Sequence, residues 1–335
     1  MHYLIRQEQN NLHINSQAQN SQWVFEHLLE DGVLTLLAWQ GDAFTHDSLL
    51  RVLDQLLSFT QCDELRLAQD LACSLPLARI YWQASRDKNQ QDVLSISRAA
   101  FYQIREIWLG SDVLPVMPLT FNPRTTDTTQ AADAEKTTDV PQRPNWGNGT
   151  LYQRYIPQVE TLIEIRRASI EQDGERFHRW QNDDRVARFW EYPWTREQLD
   201  AYLQDHLDDP HTEPLIVSAN GQPFAYVESY WCREDRLGAY YDNHAFDQGY
   251  HLLIGEPEFQ GELTHHFLTA VSHFLFLTDP RTEKLMGEPR SDNKALLKHV
   301  TMTPGWHVAG EVRFPHKLAA LLRCDRDVFF NEARL

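Results

Sequence analysis

The sequence predicts a mixed α/β protein in which helices cover both faces of a mixed β-sheet. Strand-like runs of β-branched and aromatic residues alternate with segments that have helical spacing, and turn signals separate them. A segment rich in Thr, Asp and Pro, residues 120–150, has no apolar period and is predicted to be a linker. Because 335 residues suffice for two domains, we expect an N-terminal α/β domain over 1–119 and a second domain over 151–335.

The N-terminal segment predicts alternating elements without recognisable chemistry. Residues 33–39 form a β-type run after Asp31-Gly32, and leucines from Leu49 onward recur at helical spacing. Residues 64–67 indicate a short strand, and residues 99–109 indicate a helix. We expect this domain to act as a scaffold, or else as a lid.

The second domain begins with a predicted strand at 162–168 and a helix at 174–190. Thr195 precedes Gln198 by three residues, which is the pattern of a capping box at a helix start. The Asn220-Gly221 pair lies between two β-rich runs and predicts a hairpin.

The remaining elements complete the order β-α-α-β-β-β-α-β-α-β. A strand at 250–254 leads through a glycine-bearing turn into a helix with an apolar stripe that includes Phe267 and Phe274. A strand at 284–287 follows, then a helix capped by Ser291, and a final strand at 307–314.

Charge and composition exclude several classes of function. The chain carries 31 Lys and Arg against 48 Asp and Glu, a net charge of −17, so non-specific binding to nucleic acid is not expected. No apolar run reaches the length of a membrane span, and no signal peptide is visible. Four scattered cysteines without a CxxC pattern indicate reduced thiols, and together these features predict a cytoplasmic protein that binds no membrane.

The turn between Gly255 and Leu263 is the first candidate binding element. A strand ends in a glycine turn that opens a helix, which directs unpaired N–H groups and the positive end of the helix dipole to one spot. This arrangement suits a pyrophosphate, provided that Glu256, Glu258 and Glu262 point away from it.

Five separated stretches then carry a family resemblance. They are HRWQNDDRVARFWE at 178–191, PFAYVESYW at 223–231, FDQGYHLLIG at 246–255, EPRSDN at 288–293 and FPHK at 314–317. In this order they resemble the siderophore-biosynthesis branch of the GNAT acyltransferases, over about residues 152–330.

The resemblance implies a GNAT fold in the second domain, with the smaller N-terminal domain as a degenerate GNAT-like half. It implies acetyl-CoA, or another short acyl-CoA, as co-substrate and an N-hydroxylated amine as acceptor, with a hydroxamate as product. It also suggests other siderophore-pathway enzymes as partners.

The resemblance further implies a catalytic pair, His251 and Asp292. A histidine of near-neutral pKa can accept the proton that the attacking nitrogen loses, and an aspartate can orient that ring or the acceptor. The acyl-CoA site is expected to comprise the following residues: Leu253, Ile254, Gly255, Phe259, Gln260, Gly261, Glu262, Leu263, Asn293 and Lys294. The acceptor is expected to contact Trp190, Tyr226, Glu228 and Tyr230, with Glu228 available for a distal ammonium.

Each assignment also has a plain structural alternative. His251 could be a hydrogen-bonded core residue, Asp292 and Asn293 could serve only the start of a helix, and Lys294 could lie on a solvated helix edge. No metal is expected, because the clustered histidines at 265, 266 and 273 lack the spacing that places two rings on one helix face.

Two other functions stay open from the sequence alone. One is a GNAT enzyme that acylates an ordinary amine, and the other is a module that binds acyl-CoA without turnover. The sequence also leaves open whether the acceptor is derived from lysine, ornithine, putrescine or cadaverine, and whether the donor is acetyl or succinyl.

Overall fold

The computed structural model describes residues 3–16, 20–77, 81–110, 113, 121–123, 139–141 and 146–335. The chain divides into two compact units. The N-terminal unit consists of Met1–Trp108, Tyr155–Leu162 and Phe330–Leu335, and the C-terminal unit consists of Leu109–Arg154 and Ile163–Phe329.

The N-terminal unit is built on a mixed sheet. Its elements are β1 (Tyr3–Glu8), β2 (Asn11–Ser16), β3 (Ser21–Glu30), β4 (Val33–Gly41), α1 (His46–Thr60), β5 (Glu64–Ala68), α2 (Gln69–Ser74), β6 (Gln83–Arg86), β7 (Asp92–Ser97), α3 (Arg98–Phe101) and α4 (Arg105–Trp108). Over the described residues the strand order is β1-β2-β3-β4-β5-β7-β6, and only the β4–β5 pair is parallel.

In this unit the predicted elements are confirmed where the local sequence pattern is strong. The predicted strands at 33–39 and 64–67 and the leucine-rich helix are confirmed as β4, β5 and α1. Thr45 caps α1 with a full capping box, and Leu49 and Leu53 on its apolar face are completely buried. The single helix predicted at 99–109 is wrong, because the chain forms α3 and α4 with a break after Phe101.

Most of the predicted linker lies outside the described residues, so the domain boundaries at 119 and 150 stay a prediction. Within it, two short strands, β8 (Phe121–Pro123) and β9 (Asp139–Pro141), pair antiparallel.

The C-terminal unit contains the sheet that forms the site. Its elements are β10 (Thr150–Ile156), β11 (Thr161–Arg167), α5 (Ile170–Gln181), α6 (Asp184–Trp190), α7 (Arg196–Asp208), β12 (Thr212–Ala219), β13 (Gln222–Trp231), β14 (Gln248–Ile254), α8 (Glu262–Thr278), β15 (Lys284–Gly287), α9 (Lys294–Met302), β16 (Trp306–Arg313), β17 (Leu318–Asp325) and α10 (Arg326–Glu332). Over the described residues the strand order is β10-β11-β12-β13-β14-β15-β17-β16.

Two features of this sheet position the site. The β12–β13 hairpin turns at Asn220 and Gly221, both with positive φ as the sequence predicts. Strand β14 runs parallel to β15 but pairs with it only at Gln248 and Gly249, so the two strands separate beyond that point.

The predicted elements of this unit need three corrections. The helix predicted at 174–190 is two helices, because α5 ends at Gln181 and Asp183 caps α6. The cap of α9 is Asn293, whose side chain accepts the N–H of Leu296, rather than Ser291. Strands β10 and β17 and helix α10 have no counterpart in the prediction, although β17 pairs with both β15 and β16.

The two units share one strand arrangement. In the N-terminal unit β4, β5, β7 and β6 lie side by side with the same relative directions as β14, β15, β17 and β16 in the C-terminal unit. Within the described part of the chain, no helix is both long and apolar enough to cross a bilayer.

Candidate active site

A cavity of about 420 Å³ lies where β14 and β15 separate. Its walls come from β14, the loop after β15, α9, the segment that ends α6, and the turn between β16 and β17. The aromatic lining of the cavity includes Trp190, Tyr192 and Tyr202, and its charged lining includes Arg236 and Lys317. His251 also lines the cavity.

Both ring nitrogens of His251 face carboxylates. Nδ1 lies 3.3 Å from Oε2 of Glu228, and Nε2 lies 3.2 Å from Oε1 of Glu288. The rings of Tyr230 and Trp190 pack against the imidazole, with centroids 4.7 and 6.5 Å away. An ionised carboxylate accepts but does not donate hydrogen bonds, so two flanking carboxylates favour a proton on each nitrogen, which is the imidazolium form of the ring.

The electrostatic balance at His251 agrees with its geometry. Burial lowers the pKa of His251, but the charge of Glu288 and the hydrogen bonds with Glu228 and Glu288 outweigh it and raise the pKa from 6.5 to about 10. The near-neutral pKa predicted for His251 is therefore wrong for this structure, because the sequence gave no sign that two buried carboxylates flank the ring.

Glu228 is saturated with hydrogen-bond donors. Its side chain is buried, and its Oε1 accepts from Tyr202 (2.6 Å) and from Tyr226 (3.0 Å), with His206 at 3.8 Å. Burial alone would raise the pKa of Glu228, yet the hydrogen bond with His251 and the nearby histidine charges hold it below its usual value. Glu228 therefore holds His251 and also lines the cavity, and its predicted contact with an ammonium of the acceptor stays a prediction.

Glu288 is the second buried carboxylate and the centre of a cluster of cations. Its Oε1 lies 3.3 Å from Arg236 and 3.4 Å from Lys317, and its Oε2 accepts from Tyr230 at 3.1 Å. Although burial raises the pKa of Glu288, His251 and the two cations hold it well below its usual range.

The same cluster could offer ligands to a metal ion. Ligand atoms of Asp235, His251 and Glu288 all lie within 4.8 Å of one another. Arg236 and Lys317 already contact the Glu288 oxygen, so positive charge is supplied there without an ion. The expectation that no metal is bound stays a prediction.

The predicted pyrophosphate turn has the required shape. Gly255 packs on Trp180 so closely that an added Cβ would lie 2.1 Å from the indole, which explains the glycine. Gly261 precedes α8 with φ of 105°, in a region that favours glycine. Helix geometry leaves the N–H groups of Glu262 and Leu263 without an intrahelical acceptor, so they are free for an anion.

Two of the three acidic side chains beside this turn are held by protein groups. Glu256 accepts from Trp180 Nε1 at 2.9 Å and pairs with Arg179. Glu258 Oε1 lies 3.4 Å from the amide nitrogen of Gln222. The carboxylates of Glu256 and Glu258 are thus turned toward α5 and β13, as the prediction of a phosphate site requires.

The other predicted acyl-CoA residues differ in what they offer. The Leu253 side chain is buried in the core, so only its backbone atoms are available, and the half-buried Phe259 ring packs on Phe224 with centroids 5.0 Å apart. Ile254 is half-buried, and Gln260 and Lys294 are exposed. Asn293 lines the cavity while capping α9.

The predicted pairing of His251 with Asp292 is not formed. The Asp292 side chain is 57% exposed and its carboxylate bonds to Arg290 at 3.1 Å. Tyr226 is fully buried and serves Glu228 rather than lining the cavity, whereas Trp190 and Tyr230 do line it. A role of Asp292 toward the acceptor stays a prediction.

Sequence reasoning missed Glu288, Arg236 and Lys317 as site residues. Glu288 and Lys317 belong to two of the stretches that carry the resemblance, EPRSDN and FPHK. A signal was present for Glu288, since an acidic residue directly follows the predicted strand 284–287. Arg236 lies in a short 3-10 helix, Arg236–Tyr240, that no sequence pattern predicted.

Comparison with known proteins decides the family. Residues 169–314 match the sequence profile of the Acetyltransferase (GNAT) domain. The N(6)-hydroxylysine O-acetyltransferase of Escherichia coli is 35% identical over 303 residues, which is 90% of each chain. The chain belongs to the siderophore-forming GNAT acyltransferases.

Other relatives agree with this GNAT assignment. The hydroxyornithine transacylase of Ajellomyces capsulatus is 33% identical over 263 residues, covering 72% of this chain and 58% of that protein. An uncharacterised protein of Bacillus halodurans has a crystal structure that covers 53% of this GNAT enzyme and 91% of its own chain, with 30% identity and a TM-score of 0.50. The enzyme therefore transfers acyl groups to hydroxylamine substrates, as the family does in siderophore biosynthesis.

Proposed function

We propose that the enzyme transfers an acetyl group, or another short acyl group, from acyl-CoA to the nitrogen of an N-hydroxylated amine such as hydroxylysine or a hydroxylated diamine. The product is a hydroxamate, a bidentate iron ligand. The proposal rests on the position of His251, whose two ring nitrogens lie next to the carboxylates of Glu228 and Glu288 in the cavity where β14 and β15 separate. The nearby turn from Gly255 to Leu263 is the proposed pyrophosphate site.

In this mechanism His251 works as a cation rather than as the general base that the sequence suggested. The nitrogen lone pair attacks the thioester carbonyl, a C–N bond forms, and negative charge develops on the carbonyl oxygen before the C–S bond breaks. The imidazolium stabilises that charge through its electric field, since both of its N–H groups bond to carboxylates, and backbone N–H groups of β14 beyond Gly249 supply the hydrogen bonds. An N-hydroxyamine is a weaker base than an alkylamine, so the attacking nitrogen is neutral at pH 7, and the proton that it loses passes through water to the departing CoA thiolate.

The CoA thiolate leaves as the intermediate collapses. The proton released by the attacking nitrogen balances the thiolate, so the net reaction forms a hydroxamate and CoA thiol. No covalent acyl-enzyme is required. Glu228 and Glu288 hold the ring in place and keep its charge.

The test uses matched acceptors with acetyl-CoA. Release of CoA is measured by chromatography with N6-hydroxylysine and with lysine, and iron(III) is added to detect the hydroxamate. We expect colour only with the hydroxylated acceptor, since an ester formed on the hydroxyl oxygen would not chelate iron in this way. Equal turnover of lysine, or an acylated hydroxylamine that gives no iron(III) colour, would contradict the proposal.

Substitution of His251 tests its role. We expect His251→Ala to lower kcat by roughly 10²–10³-fold, as for loss of one charged stabilising group. His244→Ala is the control, because His244 is an exposed histidine of the same unit that also lies near a glutamate. Acetyl-CoA binding without turnover of any hydroxylamine would instead favour a binding module.

A further inference from the structure

Arg236 presents unused hydrogen-bond donors to the cavity. Its side chain is 44% exposed, and its Nη2 lies 3.3 Å from Oε1 of Glu288 and 3.5 Å from Nε2 of His251. Over the described residues, Nε and Nη1 face no protein acceptor. Each two-donor edge of a guanidinium pairs Nη2 with either Nε or Nη1. Because Nη2 carries two hydrogens, the hydrogen that is not given to Glu288 leaves one edge that matches the two oxygens of a carboxylate.

Lys317 lies on the same side of the cavity. Its side chain is only 12% exposed, and its Nζ contacts Oε1 of Glu288 at 3.4 Å. Burial lowers the pKa of Lys317, and the charge of Glu288 offsets part of that effect. One carboxylate oxygen thus serves Arg236, Lys317 and His251 together, so Arg236 and Lys317 share a single acceptor that His251 also uses.

The net charge of the cluster does not by itself call for an anion. Asp235 and Glu228 balance two of the cations, and Asp235 also caps the short helix by accepting the N–H of Leu237. What distinguishes Arg236 is the combination of free donors, exposure to the cavity and a position next to His251.

We infer that Arg236 and Lys317 form a subsite for a carboxylate carried by one of the two substrates. The inference rests on the proposed function. The carboxylate belongs either to an amino-acid acceptor or to a dicarboxylic acyl donor. In both cases the enzyme selects a substrate that bears this group over a substrate of the same length that lacks it.

The experiment compares four substrate pairings. Acetyl-CoA and succinyl-CoA are each combined with N6-hydroxylysine and with N-hydroxycadaverine, two acceptors with the same reacting end of which only the first is an amino acid. The readout is the ratio of kcat/KM with and without the carboxylate, because a general loss of activity cancels in this ratio. We expect Arg236→Gln to lower the ratio by at least tenfold, for the acceptors or for the donors.

Two further variants separate binding from structure. Arg236→Lys keeps the positive charge but loses the two-donor edge of the guanidinium, so we expect a kcat/KM ratio between those of the wild type and Arg236→Gln. The lysine variant also serves as the test if Arg236→Gln does not fold. Arg290→Gln is the matched control, since Arg290 also lines the cavity but is paired with Asp292, and we expect it to leave the ratio unchanged.

Calorimetry makes the inference independent of turnover. Binding of lysine is compared with binding of cadaverine, and binding of succinyl-CoA with that of acetyl-CoA, in the wild type and in Arg236→Gln. If the wild type prefers the ligand with the carboxylate and Arg236→Gln abolishes that preference, the subsite is supported even when no hydroxamate forms. The absence of hydroxamate would contradict only the proposed function. A wild type that shows no preference, or an Arg236→Gln variant that weakens all four pairings equally, would overturn the subsite.

Discussion

Replacement of Glu228 by Gln should lower the pKa of His251 without removing the ring. Glu228 is buried, and its Oε2 lies 3.3 Å from Nδ1. In the variant the amide oxygen can still accept from Tyr202 and Tyr226, while the amide nitrogen faces the imidazole. Because that nitrogen donates, Nδ1 has to accept, and the ring is favoured in its neutral form.

The magnitude follows from the shift in the native enzyme. A rise of the His251 pKa from 6.5 to about 10 corresponds to about 5 kcal/mol in favour of the imidazolium. Glu288 and Glu228 share this effect, so loss of one carboxylate should remove roughly 2 kcal/mol of it. The ring should then titrate about 1.5 pH units below the native value, so kcat should fall several-fold at pH 9 and hardly change at pH 7.

The assay is an NMR titration of the histidine side chains, with His251 assigned by comparison with the His251→Ala spectrum. Glu213→Gln is the control, because Glu213 is also a buried carboxylate but pairs with Arg167. An unchanged titration of His251 in Glu228→Gln would refute the reasoning that this carboxylate holds the proton on the ring.

Three further outcomes can be checked. Gly255→Ala places a methyl group inside the Trp180 contact, so the free energy of unfolding measured in urea should fall by about 1–3 kcal/mol and KM for acyl-CoA should rise. Gly310→Ala is the control, because the space around an added Cβ is open there, and it should show neither effect. Asp292→Asn should reduce kcat much less than Glu288→Gln, and the reverse order in steady-state assays would restore Asp292 as the partner of His251. Burial and the charge of His265 lower the pKa of His266 to about 4, so the unfolded chain binds more protons between pH 6.5 and 4. Stability should fall by about 1 kcal/mol as the pH is lowered over that range, because solvent screens the half-buried ring. The loss should be smaller in His266→Gln, as measured by unfolding at several pH values.

Local patterns predicted the elements of the C-terminal unit well. The capping box at Thr195, the Asn220-Gly221 hairpin and the strand at 284–287 depend on neighbouring residues alone, and all three are present. The family stretches and the glycine turn also indicate His251 and the Gly255–Leu263 segment from the sequence alone.

The partners of His251 could not be predicted in the same way. Glu288 reaches the ring across 37 positions of sequence, and the helix start at Asp292 gave an equally plausible carboxylate. Glu228 was placed on the correct face of its strand, but its bond to Tyr202 depends on how α7 packs on the sheet. The pKa of His251 depends on that packing, so the spacing of residues in the sequence could not predict it.

The pH dependence of kcat/KM in the wild type is the most direct test of His251 as a cation. Activity with acetyl-CoA and N6-hydroxylysine is measured from pH 7 to 10 by a stopped assay that quantifies the hydroxamate. Because the acceptor nitrogen is already neutral across this range, the charged ring predicts a level profile that falls as the pH approaches 10. A profile that rises tenfold for each pH unit from 7 to 9 would show that the neutral ring is the active form, and would contradict the account.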